Sequence, residues 1–398
     1  MRNHPAHDTR KRFIGSRVPR SQVSRSGVSR SAVGKTRAAA CIVTILALTL
    51  IAAPGVQSRP MAEDLPTMTV VDAVGREVIM PQPAERIAMA GRAVLMLADA
   101  LYLFPGASER LVGVGSITQG KGNFLKAIDP HYRDNTTIFS STVGPEQIAA
   151  VRPDVVILKR IMRNEIGEGL EQLGIPVVYV DLETPAQYER DLQILGRIME
   201  NRNRSEELVD YFRSVRSGVQ QRTDALDPTV MPRVLLLSYT ESGGEPVFAI
   251  PPSSWIQTDL VHMAGGVPVW TDTHPGGGWA PVGFEQIAAW DPDVIILVAY
   301  RQGVDRVKQR VLSRPEWRQL RAAQHDAVYG FPADFYSWDQ PDVRWLLGLQ
   351  WLATRLQPEL FADLDMHSEM RRFFRFLYSL TDEEIDEVIV PLLEGDLH

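Results

Sequence analysis

The sequence predicts an α/β protein of two similar lobes, each with a central, mostly parallel sheet, joined by a single long helix. One stretch occurs twice: residues 143–158 read VGPEQIAAVRPDVVIL and residues 282–297 read VGFEQIAAWDPDVIIL, with 12 of 16 positions identical. Around both copies, short aliphatic runs alternate with helical patterns, which is typical of parallel sheets covered by helices. Residues 186–226 lie between the copies and show no strand pattern.

Each copy of the repeat predicts a short helix followed by a buried strand. Glu146 and Glu285 fall in the first turns of the two helices, where a carboxylate faces the positive end of the helix dipole. A Pro-Asp pair ends each helix, because the residue before a proline is pushed out of the α region. The aliphatic runs that follow are typical of strands covered on both faces. By position alone, the two glutamates indicate only favourable partners for the helix dipoles.

An N-terminal export signal is predicted within residues 1–60. Eleven Lys and Arg against one Asp give this segment a net charge of +10, and Lys35 and Arg37 precede an apolar run at 38–53. A basic region, an apolar core and small residues up to Ser58 form the layout of a signal peptide. We expect cleavage near Ser58. The alternative is an uncleaved membrane anchor, because the apolar run approaches the length of a membrane helix.

Composition and motifs exclude several classes of protein. The whole chain carries a net charge of −7, which leaves −17 for residues 61–398 and argues against a nucleic-acid binder. The single cysteine, Cys41, lies in the predicted signal, so the mature chain has no thiol for a disulfide or a metal site. The histidines show no ligand spacing, and we expect neither a protein-ligated metal nor a fixed cofactor. An α/β enzyme stays an alternative, although the sequence has no P-loop and no GxSxG turn.

The predicted elements follow in order along the chain. The N-terminal lobe, residues 64–203, opens with a hairpin around Gly75 and continues with alternating strands and helices. The linker segment, residues 204–227, holds a helical stretch of roughly 22 residues, or about 33 Å, with apolar residues three or four apart on one face. The C-terminal lobe, residues 230–360, repeats the alternation and holds a polar, aromatic loop. Residues 361–398 form a helical, acidic extension.

At the repeat, the chain resembles the periplasmic substrate-binding proteins of ABC importers for iron–siderophore complexes and cobalamin, over roughly residues 66–360. The resemblance implies a periplasmic monomer with a ligand cleft between its lobes. It also implies an ABC permease dimer with cytoplasmic ATPases as the partner. In that family each lobe presents an exposed glutamate to the permease, and the matching positions here are Glu146 and Glu285.

The cleft residues are predicted from the ends of strands, because ligands of open α/β sheets bind at the carboxyl ends of the strands. In the N-terminal lobe these positions are cationic, and in the C-terminal lobe they are aromatic and amphipathic. The cationic candidates are Arg92, Lys121 and Arg160, together with Lys159 and Arg163. The C-terminal candidates are Tyr239, Trp279, Tyr300, Arg301, Tyr336, Trp338 and Asp339. The position in the first lobe that corresponds to Trp279 is Ser140.

Together these residues predict an anionic ligand with planar groups. Arginine suits a bidentate grip on oxyanions, and aromatic rings suit catecholate or other flat chelate groups. We therefore expect an anionic metal chelate, with a ferric siderophore as the first candidate. The alternatives are a small oxyanion such as molybdate or tungstate, or another metal complex such as cobalamin, haem or a nickel chelate.

Overall fold

The computed structural model describes residues 66–132, 136–274 and 276–397. The predicted export signal lies outside these described residues. Within the described ranges, no helix is both long enough and apolar enough to cross a membrane. The described chain consists of two α/β lobes, a connecting helix and a C-terminal extension.

The N-terminal lobe is built on a five-stranded sheet in which every pair of neighbouring strands is parallel. An antiparallel hairpin, β1 (Thr67–Val71) and β2 (Glu77–Pro81), precedes it, as the turn signal at Gly75 predicts. The sheet order is β5-β4-β3-β6-β7. Its strands are β3 (Ile87–Met89), β4 (Leu111–Gly115), β5 (Thr137–Phe139), β6 (Val155–Lys159) and β7 (Val177–Val180). The helices are α1 (Val94–Leu101), α2 (Ala107–Arg110), α3 (Phe124–Ile128), α4 (Pro145–Ala149), α5 (Glu168–Gln172) and α6 (Pro185–Ile198), with short 3₁₀ and π turns at Arg160–Met162 and Arg163–Gly167.

The connecting helix is α7 (Arg202–Thr223), whose first turn is capped by the Asn201 side chain accepting from the backbone N–H of Arg204. Its apolar stripe is buried, as the spacing of three and four residues predicts; the stripe comprises Leu208, Phe212, Val215 and Val219. The helix packs against α6 of the first lobe and against α12 (Trp345–Leu356) of the second. It begins two residues before the predicted segment and ends four residues before the end of that segment, and Asp227-Pro228 follows its end.

The C-terminal lobe has a mixed sheet with the order β11-β9-β8-β12-β13, and β10 also pairs with β8. The strands are β8 (Arg233–Ser242), β9 (Glu245–Ile250), β10 (Val267–Pro268), β11 (Ala280–Val282), β12 (Val294–Val298) and β13 (Val328–Gly330). Strands β9 and β11 are antiparallel to their neighbours. A two-residue turn permits the β8–β9 hairpin, because Gly243 and Gly244 both have positive φ. The helices are α8 (Ile256–Met263), α9 (Phe284–Trp290), α10 (Val304–Ser313), α11 (Arg321–Gln324) and α12 (Trp345–Leu356), with a 3₁₀ turn at Trp317–Gln319.

The C-terminal extension is only partly helical. It contains α13 (Met366–Tyr378) and α14 (Asp382–Glu384), then a π turn at Ile385–Ile389 and a 3₁₀ turn at Val390–Leu392. Its last residues run back along the second lobe, where Ala333 and Glu394 exchange two backbone hydrogen bonds. The side chains that it buries join the same hydrophobic core as those of both lobes. The extension is therefore part of the folded body.

Candidate functional site

A cavity of about 340 Å³ lies between the two lobes. Most of its lining residues follow the carboxyl ends of strands, which is where ligands of open α/β sheets bind. Trp279 instead directly precedes β11, beside the carboxyl end of the antiparallel strand β9. The first lobe contributes Ala93, Met96, Thr118, Gln119, Gly120 and Glu183. The second lobe contributes Trp255, Gln257, Trp279, Tyr300, Arg301, Gln340 and Pro341. The volume falls within the usual range for sites that hold small molecules.

Three aromatic rings form one wall of this cavity. The ring centroids of Trp255 and Trp279 are 5.8 Å apart with an interplanar angle of 84°, and those of Trp279 and Tyr300 are 6.2 Å apart at 65°. These edge-to-face arrangements are the favoured geometry of aromatic pairs. Trp279 and Tyr300 are thus brought together as the strand-end argument predicts, whereas Trp255 was not predicted.

Asp339 lies behind the aromatic wall and holds it in place. The Tyr300 hydroxyl donates to Asp339 Oδ2 at 2.7 Å, and Gln257 Nε2 donates to the same oxygen at 3.2 Å. Asp339 is fully buried, and burial raises the pKa of its carboxyl to about 6, while the hydrogen bonds from Tyr300 and Gln257 oppose the shift. Asp339 is therefore a support for Tyr300, and its own side chain does not line the cavity.

The cavity wall carries more uncharged polar groups than charges. Of the described residues that line it, two are charged: Arg301, which is exposed, and Glu183, which pairs with the buried Lys159. Within the described part of the chain, Gln257 Oε1 and Gln340 Nε2 are buried without a hydrogen-bond partner. Both residues line the cavity, but these two atoms are themselves shielded from solvent, so contact with a bound solute requires their amide groups to turn.

The predicted cationic residues of the first lobe do not line the cavity. Arg92 pairs with Glu165, Arg160 pairs with Asp181, and Lys121 pairs with Glu394 of the extension. Each cation thus has an acidic partner that the fold supplies from a distant part of the sequence. The wall is consequently less positive than the strand-end residues suggested.

Three predicted aromatic residues are in the protein interior. Tyr239 is buried in β8, and its hydroxyl donates to Glu241 at 2.8 Å. Tyr336 and Trp338 are fully buried in the loop before α12. The Tyr336 hydroxyl accepts from the backbone N–H of Phe124 at 3.1 Å, across the boundary between the lobes. Tyr336 and Trp338 therefore support the loop that borders the cavity, and none of the three side chains is brought to its wall.

A buried ion cluster beside the cavity joins the two lobes. Arg344 Nη1 donates to Asp99 of α1 at 2.6 Å, and Arg344 Nε donates to Asp334 at 2.7 Å. These side chains and that of Asp342 are fully buried. Burial raises the pKa of Asp99, against the opposing charge of Arg344. The cluster fixes the loop of residues 333–344 against the first lobe.

The residues that were not predicted come from loops and from the start of α8. Thr118 and Gln119 lie a few residues beyond β4, and Gln340 lies in the loop before α12. Trp255 and Gln257 follow β9, so applying the strand-end rule to that strand as well would have found them. Among the described residues, no group of three or more His, Cys, Asp or Glu side chains is arranged to hold a metal ion.

Glu146 and Glu285 occupy equivalent positions on the two lobes. Each lies in the first turn of the repeat helix, α4 or α9, after a glycine N-cap. Both side chains are exposed. The structure therefore presents one exposed carboxylate per lobe at matched places.

Comparison with known proteins identifies the family. Residues 91–335, more than half of the chain, match the family described as periplasmic binding protein. The molybdate-binding protein MolA of Haemophilus influenzae is 22% identical over 338 residues, covering 78% of this chain and 90% of MolA. A periplasmic solute-binding protein from Veillonella parvula superposes with a TM-score of 0.66 at 25% identity, covering 82% of this chain and 98% of that one. The molybdate-bound structure of MolA superposes with a TM-score of 0.64 at 21% identity, covering 79% and 98%. The chain therefore belongs to the periplasmic binding protein family, the solute-binding proteins of ABC importers.

Proposed function

We propose that this protein captures an anionic metal chelate, such as a ferric siderophore, in the cavity between its lobes and delivers it to an ABC permease. The observation that carries the proposal is the wall of Trp255, Trp279 and Tyr300 at the strand ends. Flat, delocalised chelating groups pack well against such rings. Arg301 supplies one positive charge at the cavity, and the Gln257 and Gln340 amides supply directional hydrogen-bonding groups.

A small oxyanion is the second candidate ligand. The observation in its favour is the 22% identity to a protein named for molybdate binding, which extends over 90% of that protein. Arg301 and the Gln340 amide are suitable donors to oxyanion oxygens. Molybdate has no planar group, so it needs these donors and gains little from the aromatic wall.

Thermal shift and tryptophan fluorescence separate the two candidates. The probes are ferric tris-catecholate, the iron-free catechol, sodium molybdate and sodium tungstate. A ligand at a hundred times its Kd stabilises the folded state by about 2.7 kcal/mol, which raises the Tm by several degrees. We expect ferric catecholate to raise the Tm and quench fluorescence, with the quenching reduced in Trp279→Phe. The oxyanion is favoured if molybdate alone raises the Tm. In that case the rise in Tm should be unchanged in Trp279→Phe and lost in Arg301→Met.

We further propose that Glu146 and Glu285 dock the protein on the permease. Their support is the matched exposure of one carboxylate on each lobe. Reversing either one to Arg should abolish uptake of the bound solute and leave its Kd unchanged. The matched control is Glu359→Arg, which reverses another exposed carboxylate. Unimpaired uptake by both Glu146→Arg and Glu285→Arg contradicts the docking role.

A further inference from the structure

The end of the C-terminal extension contacts both lobes through one carboxylate. Glu394 pairs with the Lys121 side chain of the first lobe. In the second lobe, Glu394 Oε2 accepts from the backbone N–H of Val304 at 3.1 Å, at the start of α10. Lys121 directly follows the cavity residues Gln119 and Gly120, and Val304 comes three residues after the cavity residue Arg301. One side chain thus connects the loops that form opposite walls of the cavity.

The loop that carries Lys121 is seated closely against the second lobe. The backbone N–H of Lys121 donates to the carbonyl oxygen of Phe335 at 2.9 Å. Gly120 has a φ of +92°, and a Cβ at this position would lie 2.2 Å from the same carbonyl oxygen. The loop therefore packs closely against the second lobe, with no room for a side chain at position 120. The Lys121–Glu394 pair lies immediately beside this contact.

The extension is anchored so that Glu394 stays in position on the second lobe. Asp396 Oδ2 accepts from the backbone N–H of Gly330 at 2.6 Å, and Lys308 Nζ donates to Asp396 Oδ1 at 2.7 Å. The Asp396 carbonyl accepts from Trp351 Nε1 at 2.6 Å. These bonds fix Asp396, and two backbone hydrogen bonds with Ala333 fix Glu394 itself, so that Glu394 is a fixed acceptor for Lys121.

Helix α13 forms a second attachment to the first lobe and the linker. The Phe374 and Tyr378 rings lie 5.8 Å and 4.7 Å from the ring of Phe124, at the start of α3. Arg204 of the linker helix donates to the carbonyl oxygens of Phe376 and Leu377 at 2.8 Å and 3.2 Å. The extension therefore touches the first lobe, the linker helix and the second lobe.

From these contacts we propose that the extension, residues 361–397, is a strap that opposes separation of the lobes, and that Glu394 is a positioning residue that sets the spacing of the two cavity walls. This inference rests on the proposed role of the cavity as the solute site. Separation of the walls requires the Lys121–Glu394 pair to break. The pair is partly shielded, with the two side chains 21% and 29% exposed, so that solvent and salt screen it less than they screen an exposed pair. Release of a solute then depends on an external force that opens the strap, such as docking on a permease.

Amide hydrogen exchange of the unliganded full-length protein tests the strap directly. Glu394→Gln retains an oxygen that accepts from Val304 but removes the charge that holds Lys121. We expect the amide at position 121 to exchange about tenfold faster, because its hydrogen bond to Phe335 opens more often. Lys121→Met should have the same effect, and Lys121→Arg should restore exchange close to the wild-type rate.

The control is Glu387→Gln, which removes an exposed carboxylate of the same extension. Unchanged exchange at position 121 in both Glu394→Gln and Lys121→Met would overturn the proposal. Equal acceleration across both sheets would also overturn it, because Glu394 would then act only on global stability. The measurement needs no ligand, so a failed ligand screen would count against the proposed function and not against the strap.

Discussion

Replacing Asp339 with Asn should remove a defined part of the pH dependence of stability. Burial raises the pKa of Asp339 from 3.8 to about 6, so the folded state holds its proton more tightly than the unfolded state does. The stabilising contribution is complete below pH 3.8 and is lost as the pH rises through about 6. Lowering the pH from 8 to 5 should therefore stabilise the wild-type protein by about 1.4 kcal/mol through this carboxyl. The Asn variant should not gain this stability.

Urea unfolding at pH 5 and at pH 8 measures this effect. The useful quantity is the difference in unfolding free energy between wild type and Asp339→Asn, since the contribution of Asp99 is common to both proteins and cancels. The unfolding free energy of the Asn variant minus that of wild type should be about 1.4 kcal/mol higher at pH 8 than at pH 5. Asp272→Asn, which removes an exposed carboxylate, is the control. If the difference in unfolding free energy between wild type and Asp339→Asn is the same at both pH values, the reasoning is refuted.

Two further changes test the packing around the cavity. Arg344→Met should lower the unfolding free energy by about 3–5 kcal/mol in urea, because it leaves three buried aspartates without their cation; a loss below about 1 kcal/mol would contradict that role. Gly348→Ala should cost about 1–3 kcal/mol or more, since its Cβ would lie 2.2 Å from the carbonyl oxygen of Trp338. Gly218→Ala in α7 is the matched helical control: no atom lies within 4 Å of its Cβ, so it should stabilise the protein by about 0.5–1 kcal/mol.

The fold class follows from local patterns in the sequence. The duplicated stretch becomes α4 with β6 in one lobe and α9 with β12 in the other. The spacing of Leu208, Phe212, Val215 and Val219 places one apolar face on α7, and all four side chains are buried. Periodicity and proline positions act over a few residues, so a sequence displays them without knowledge of the tertiary contacts.

The cavity was only partly predictable. Tyr300 follows β12, a position that topology alone defines, whereas Trp279 directly precedes β11, at the edge that β9 reaches with its carboxyl end. The charge of the wall was not predictable, because each cation is paired with an acid from elsewhere in the chain. Arg92 and Glu165 are 73 residues apart, and Arg160 and Asp181 are 21 residues apart. No local pattern indicates which charges will meet and neutralise each other.

By itself the sequence determined the two lobes and the helix that joins them, because these depend on short-range periodicity. It determined the matched glutamates through the duplicated stretch at 143–158 and 282–297. Only the tertiary structure decided which polar groups face the cavity and where the acidic extension ends. The pairing of Glu394 with Lys121 joins residues far apart in the chain, and it depends on the path of α13 across both lobes. Such contacts depend on how folded elements pack together, and composition or spacing along the chain does not specify them.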